Sequence, residues 1–307
     1  VEPTEASPEY SSPLPISRRV GEPNVLSLIP GTATANQHTD GWKPPLGEVR
    51  KATVVRARAT RPGGLAGPLN TQTYFVGAEA VRTDGLPTLS LTTDPAGFFD
   101  YDTGIYRLGA VFDRYVSTHP GEALTGHTPA NYTQRGPAWE REAHLEWFEP
   151  DGTRAFGEPV RIDIQGQSSR SFRQKSFGLK ARGIEPPRNT FSHSIFPGLT
   201  RLGDGTPLTE FRTLRLRNMG NDWDFALMRD DWCHRLAGGL GLNLMSSRFA
   251  SVFLDGEYWG VLGVREQQDP RYLQAHYGID DDEVVILSGA GGLEEGQPGD
   301  EQPWLDL

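Results

Sequence analysis

Apolar and polar residues alternate along Thr53-Val54-Val55-Arg56-Ala57-Arg58-Ala59, which predicts a strand with one wet face. Pro62-Gly63-Gly64 breaks it, and Thr71 through Gly77 forms a second strand. Residues 1–77 therefore read as a small β module, with a Pro- and Gly-rich opening over 1–48. From Leu86-Pro87-Thr88-Leu89-Ser90-Leu91 the pattern changes to an apolar run followed by Asp-Pro and Thr-Gly turns. A domain boundary near residue 79 follows, dividing 1–78 from 79–307. Prolines and glycines across 113–138 predict a long surface loop. Two alternating runs, 143–148 and 160–165, flank Pro150-Asp151-Gly152 as antiparallel strands.

Asn221 or Asp222 is placed to cap a helix running to about Leu240, because Phe225, Met228, Trp232, Leu236 and Leu240 recur at spacings of three and four. Asp255-Gly256, between apolar runs 249–254 and 258–264, is the strongest hairpin signal in the chain. A short helix is expected from Pro270 to near Gly278, and Gly289 to Gly299 is an acidic, glycine-rich loop.

Charge and composition narrow the function. The 307 residues hold 30 Lys and Arg against 40 Asp and Glu, a formal charge of −10, so nucleic acid is a poor partner. Gly and Pro number 36 and 24, an excess that favours short strands and turns and excludes an all-helical protein. Cys233 is the only cysteine, which excludes an intrachain disulfide framework and cysteine-rich zinc sites. No run of 18 apolar residues occurs that would span a membrane, and Val1-Glu2-Pro3-Thr4-Glu5 lacks the features of an export leader, so any export signal peptide is expected upstream of residue 1. The seven histidines show no His-Glu-x-x-His spacing, and no Gly-x-Ser-x-Gly elbow occurs.

The most suggestive chemistry lies in Gly166 through Lys180, a small-polar turn between two strands. Backbone N–H groups and the hydroxyls of such a turn supply anion donors, and a lysine on the returning strand adds charge. A plain exposed basic hairpin fits the same residues. Lys175 shares a strand face with Phe177 and Leu179, so its amine must find a carboxylate, a phosphate or solvent. Asp222 and Asp230 complement the start of the helix, which needs no function. Glu266 sits at a strand exit, a place that serves ligand contact or a plain helix cap.

Residues 86–109, the Gly166–Lys180 hairpin, Leu216-Arg217-Asn218 with the helix after it, and Leu254-Asp255-Gly256-Glu257-Tyr258-Trp259-Gly260 with Glu266 resemble, in order, the CotH family of atypical, secreted or surface-attached protein kinases. The resemblance covers about 84–307. Residues 49–77 are similar to the end of a chitobiase/β-hexosaminidase C-terminal-like module. The resemblance implies an α+β fold: a small β-sandwich-like module, then a kinase-like N-lobe of antiparallel sheet plus helix, then the start of a C-lobe. It implies binding of ATP with Mg2+, with Gly166, Ser168, Ser169 and Arg170 in the phosphate-covering turn and Lys175 holding the phosphates. Asp222 or Asp230 becomes the acidic partner of Lys175, and Glu266 lies near the nucleotide base. The metal-binding and catalytic carboxylates are expected beyond Leu307, so the isolated chain is expected to be inactive. The implied acceptors are hydroxyls of coat or cell-surface proteins, with an extracellular or surface location. A noncatalytic coat-assembly or adhesion role is the alternative, and carbohydrate attachment through the first module, which contains Trp42, is a third.

Overall fold

A computed structural model describes residues 2–61, 64–77, 85–182, 189–289 and 291–307. The chain is α+β and mostly sheet. Seven strands close into a barrel: β3 (Thr88–Thr93), β4 (Arg141–Phe148), β5 (Arg154–Gln165), β6 (Ser176–Ala181), β7 (Thr213–Arg217), β8 (Ser247–Leu254) and β9 (Glu257–Arg265). Their order around the wall is β7-β9-β8-β3-β4-β5-β6, returning to β7. Every junction is antiparallel except β8 with β3, where Val252 faces Leu89 and Leu254 faces Leu91. The sheet departs from the expected antiparallel arrangement at this one junction, and the pairing there closes the barrel and leaves no free edge.

Strict alternation builds the core. Leu89, Leu145, Trp147, Ile162, Phe177, Leu179, Leu214, Leu216, Val252 and Val264 point inward and are fully or almost fully buried. The register brings Leu216 beside both Phe177 and Val264, so neighbouring strands stack their apolar sides in layers. Phe98, Phe99 and Tyr106 close one end, with Phe98 and Tyr106 each 6.0 Å from the Phe177 ring. This segment begins with helix α1 (Pro95–Phe99), which the Asp94 side chain caps through the Ala96 N–H.

Two strands earlier in the chain, β1 (Thr53–Arg58) and β2 (Leu69–Tyr74), pair as the alternation predicts. This hairpin lies on the outer face of the barrel. The Thr73 hydroxyl contacts Ser90 at 2.8 Å and donates to Glu146, and Phe75 packs edge-on against Phe148 and Phe253. The boundary expected near residue 79 lies outside the described residues.

Two local expectations change. Within the expected loop over 113–138, helix α2 (Gly109–Thr118) continues to Thr118, and Ala130, Asn131 and Tyr132 are buried. Asn131 holds that stretch by donating to the carbonyls of Tyr101, Asp102 and Gly104. The helix expected over 222–240 shortens to α3 (Arg229–Leu236). Asp222 instead accepts from the N–H groups of Ala226 and Arg229, winding 222–228 into turns, with Leu227 at φ +60°. The apolar ladder is largely exposed, with Trp232 at 56% and Leu236 at 75%. Helix α4 (Pro270–Tyr277) matches expectation: Asp269 caps it and Gly278, at φ +72°, ends it. No described helix is long and apolar enough to cross a membrane.

Candidate functional site

The chain leaves β5 at Gln165 and turns through Gly166, Gln167 and the short 3-10 helix Ser168–Ser171 before β6. Gly166 adopts φ +108°, and a Cβ there would meet the Ser169 hydroxyl at 2.4 Å. The turn's carbonyls are tied down from behind. Gly166 O accepts from Arg170 Nε at 2.8 Å and from Arg135, and Ser168 O accepts from Ser171 Oγ at 2.7 Å. Arg170 O and Phe172 O both accept from the Lys175 amine, at 2.7 and 2.8 Å. Arg170 also donates to the carbonyls of Tyr132 and Gln134, and burial lowers its pKa to about 10.

The donors of the same turn are free. Among the described residues, the backbone N–H groups of Gln167, Ser168 and Ser169 have no acceptor, and the hydroxyls of Ser168 and Ser169 make no hydrogen bond. A turn with its carbonyls engaged and its amides unpartnered has the donors that an anion needs.

These residues line one side of a cleft of about 480 Å³. Across it stand Arg215 and Arg217 from β7, then Asn218, Gly220 and the start of α3. Inward Leu214 and Leu216 alternate with outward Arg215 and Arg217, and Arg215 lies directly beside Arg265 of β9. Burial pushes the pKa of Arg215 down, and the neighbouring Arg217 and Arg265 charges push it further the same way. Arg215 bonds only the neutral Gln165 side chain, at 3.2 Å. Asn218 fixes the geometry by accepting from Ser176 Oγ at 2.8 Å and donating to Gln174 O at 2.7 Å.

Of the residues singled out from the sequence, the structure brings Gly166, Ser168, Ser169, Asp222 and Asp230 into this cleft. Arg170 is buried behind the turn. Lys175 is fully enclosed and does not line the cleft; its amine lies 3.9 Å from the centre of the Tyr132 ring and 5.0 Å from that of Tyr106. Neither proposed acid is its partner. Asp222 pairs with Arg229 at 3.1 Å, and Asp230 pairs with Arg217 at 3.3 Å and with Arg265. Burial pushes the Asp230 carboxyl up, but these arginines outweigh it and bring its pKa below the usual value. Glu266 is buried, where it accepts from Ser246 N at 2.9 Å and meets His276 Nε2 at 2.7 Å. Its neighbour Gln267 lines a second hollow of about 380 Å³, which shares Gln165 with the first. Arg215 was missed as a site residue, although Thr-Leu-Arg-Leu-Arg alternation already placed it on one face with Arg217.

The cleft lies wholly within a recognised stretch. Residues 162–301 match the family model described as CotH kinase protein. The resemblance read from separated sequence motifs therefore holds from Ile162, near the end of β5, through α4 to Glu301. No curated protein matches the chain.

The residues present fit the phosphates of a nucleotide: free amides and hydroxyls on one wall, arginines on the other. They do not fit magnesium. Both carboxylates in the cleft are engaged by arginines, and among the described residues no group of three or more His, Cys, Asp or Glu is arranged to hold a metal ion.

Proposed function

We propose that this chain is the nucleotide-phosphate-binding part of a CotH-type protein kinase. The triphosphate of ATP lies between the Gly166–Ser169 turn and Arg215 with Arg217, and the nucleoside extends toward the hollow beside Gln267. The observation that carries this is a set of unpartnered donors in the turn, lining one cleft with two arginines, inside the stretch that matches the family. Charge-assisted bonds from arginine to phosphate are strong and geometrically selective.

In phosphoryl transfer such a site positions the phosphates and neutralises charge that develops on them. The turn's amides would hold two phosphate groups in a fixed orientation, and Arg215, which makes no direct ion pair among the described residues and meets Asp163 and Asp269 only at longer range, supplies a charge to them. Asp222 and Asp230 are engaged by arginines, so neither is assigned to orient the acceptor hydroxyl. The proposed acceptors are hydroxyls of proteins outside the cell or on its surface.

Isothermal titration with ATP and with tripolyphosphate tests this. The wild-type chain binds both, and the Arg215→Ala/Arg217→Ala chain binds at least ~10-fold more weakly, the loss expected for charged hydrogen bonds. Equal affinities, or no binding by the wild type, contradict the reading. A noncatalytic surface or coat-assembly role is the second reading; the exposed face of Trp232, Leu236 and Leu240 favours it.

A further inference from the structure

We propose that Lys175 is a positioning residue for the phosphate-binding turn, acting from inside the protein and never touching the nucleotide; this rests on the nucleotide reading of the cleft. Lys175 is fully buried, and among the described residues its amine pairs with no carboxylate. Its amine donates instead to Arg170 O at 2.7 Å and Phe172 O at 2.8 Å, the carbonyls at the far end of the turn. The Tyr132 ring, 3.9 Å from the amine, closes the remaining side. The Lys175 backbone N–H is held as well, donating to the Tyr106 hydroxyl at 3.1 Å, while that hydroxyl donates to Arg173 O at 2.9 Å.

The consequence for the turn follows from peptide geometry. The N–H and C=O of one peptide unit point in opposite directions, so a carbonyl fixed inward turns the adjoining amide outward. Lys175 fixes the carbonyls of Arg170 and Phe172 and so anchors the backbone on either side of Ser171; Arg170 and Ser171, held in this way, fix the carbonyls of Gly166, Gln167 and Ser168, whose peptide units carry the amides of Gln167, Ser168 and Ser169. Together they hold the amides of Gln167, Ser168 and Ser169 toward the cleft. Even an uncharged amine keeps two N–H donors, enough for both carbonyls. Without Lys175 the two carbonyls are buried and unpaired, and the turn must rearrange to satisfy them.

Acylation with a lysine-selective N-hydroxysuccinimide acetate, followed by peptide mass mapping, separates this role from direct phosphate contact. Lys175 stays unmodified with and without ATP, whereas Lys43, whose side chain is half exposed, is modified in both. Modification of Lys175 in the free protein with protection by ATP would make it a direct ligand and overturn the proposal. Modification in both states overturns it too. In parallel, a Lys175→Met chain that retains wild-type circular dichroism binds ATP at least ~10-fold more weakly. An unchanged Kd in that folded chain also overturns the role. If the wild type fails to bind ATP, the nucleotide reading itself falls, while the acylation pattern of the free protein still reports where the amine points.

Discussion

Asp230 Oδ2, on α3, lies 3.3 Å from Arg217 Nη2 on β7, and the same oxygen accepts a hydrogen bond from Arg265 on β9. One helix carboxylate thus engages two arginines of the barrel wall, and one of them, Arg217, lines the cleft. A polyphosphate entering the cleft competes with Asp230 for Arg217. Asp230→Asn is therefore expected to tighten binding of tripolyphosphate by roughly 3- to 10-fold while lowering stability by about 1–3 kcal/mol, because Arg265 is only 3% exposed and loses its charged partner. Titration calorimetry and denaturant unfolding of the same variant read both effects. Weaker binding contradicts the competition.

The turn makes a second prediction. Gly166 at φ +108° has no room for a Cβ beside the Ser169 hydroxyl. Gly166→Ala is expected to cost about 1–3 kcal/mol of stability and to weaken ATP binding by more than the stability loss alone explains. Binding measured well below the melting transition, where the variant is folded, makes that comparison.

Much of this architecture was legible in the sequence, and what was not has identifiable causes. The Asp255-Gly256 hairpin, the β1–β2 pair and the helix between Pro270 and Gly278 are written in turn chemistry and short-range alternation. Barrel closure was not, since it depends on β8 pairing in parallel with β3, more than 150 residues away. The ladder from Phe225 to Leu240 has helical spacing, but Asp222 captures the amides of Ala226 and Arg229 and delays the helix to Arg229. At the site, the Gly166–Ser169 turn was visible as a polar interruption between strands. Lys175 was correctly placed on the apolar side of its strand, yet sequence offers no sign that backbone carbonyls, rather than an acid, meet its amine.

The Lys175 amine has a pH signature. Burial lowers its pKa well below 10.5, and the Arg170 charge adds to this. Between the lowered value and 10.5 the unfolded chain carries the proton and the folded chain does not, so stability rises with pH across that window. The stability difference between the wild type and Lys175→Met should therefore grow in favour of the wild type as pH rises toward 10.5, as measured by urea unfolding at a series of pH values. A constant difference contradicts a depressed pKa.

Asp255 has the opposite sign. Burial pushes its carboxyl up to about 7, with the Thr93 N–H working against it. A carboxyl raised in this way keeps its proton in the folded state after the unfolded chain has lost it, so stability falls as pH rises from 3.8 to about 7. Asp255→Asn tolerates the φ of +48° and should gain on the order of 2 kcal/mol at pH 8, with little gain at pH 3.5. Equal effects at both pH values rule out titration of this group as the cause.

Glu146 joins the hairpin to the barrel. Fully buried, it accepts from the Thr73 hydroxyl of β2 and from Arg154 Nε at 2.8 Å. A double-mutant cycle with Thr73→Val and Glu146→Gln should show a coupling of about 1 kcal/mol. Strict additivity contradicts this link.

The most direct test of the phosphate site is a crystal structure of the chain soaked with a non-hydrolysable ATP analogue. Phosphate oxygens within hydrogen-bonding distance of the Ser168 and Ser169 amides and of Arg215 are the expected result. A triphosphate bound elsewhere, with that turn and both β7 arginines untouched, would contradict the account.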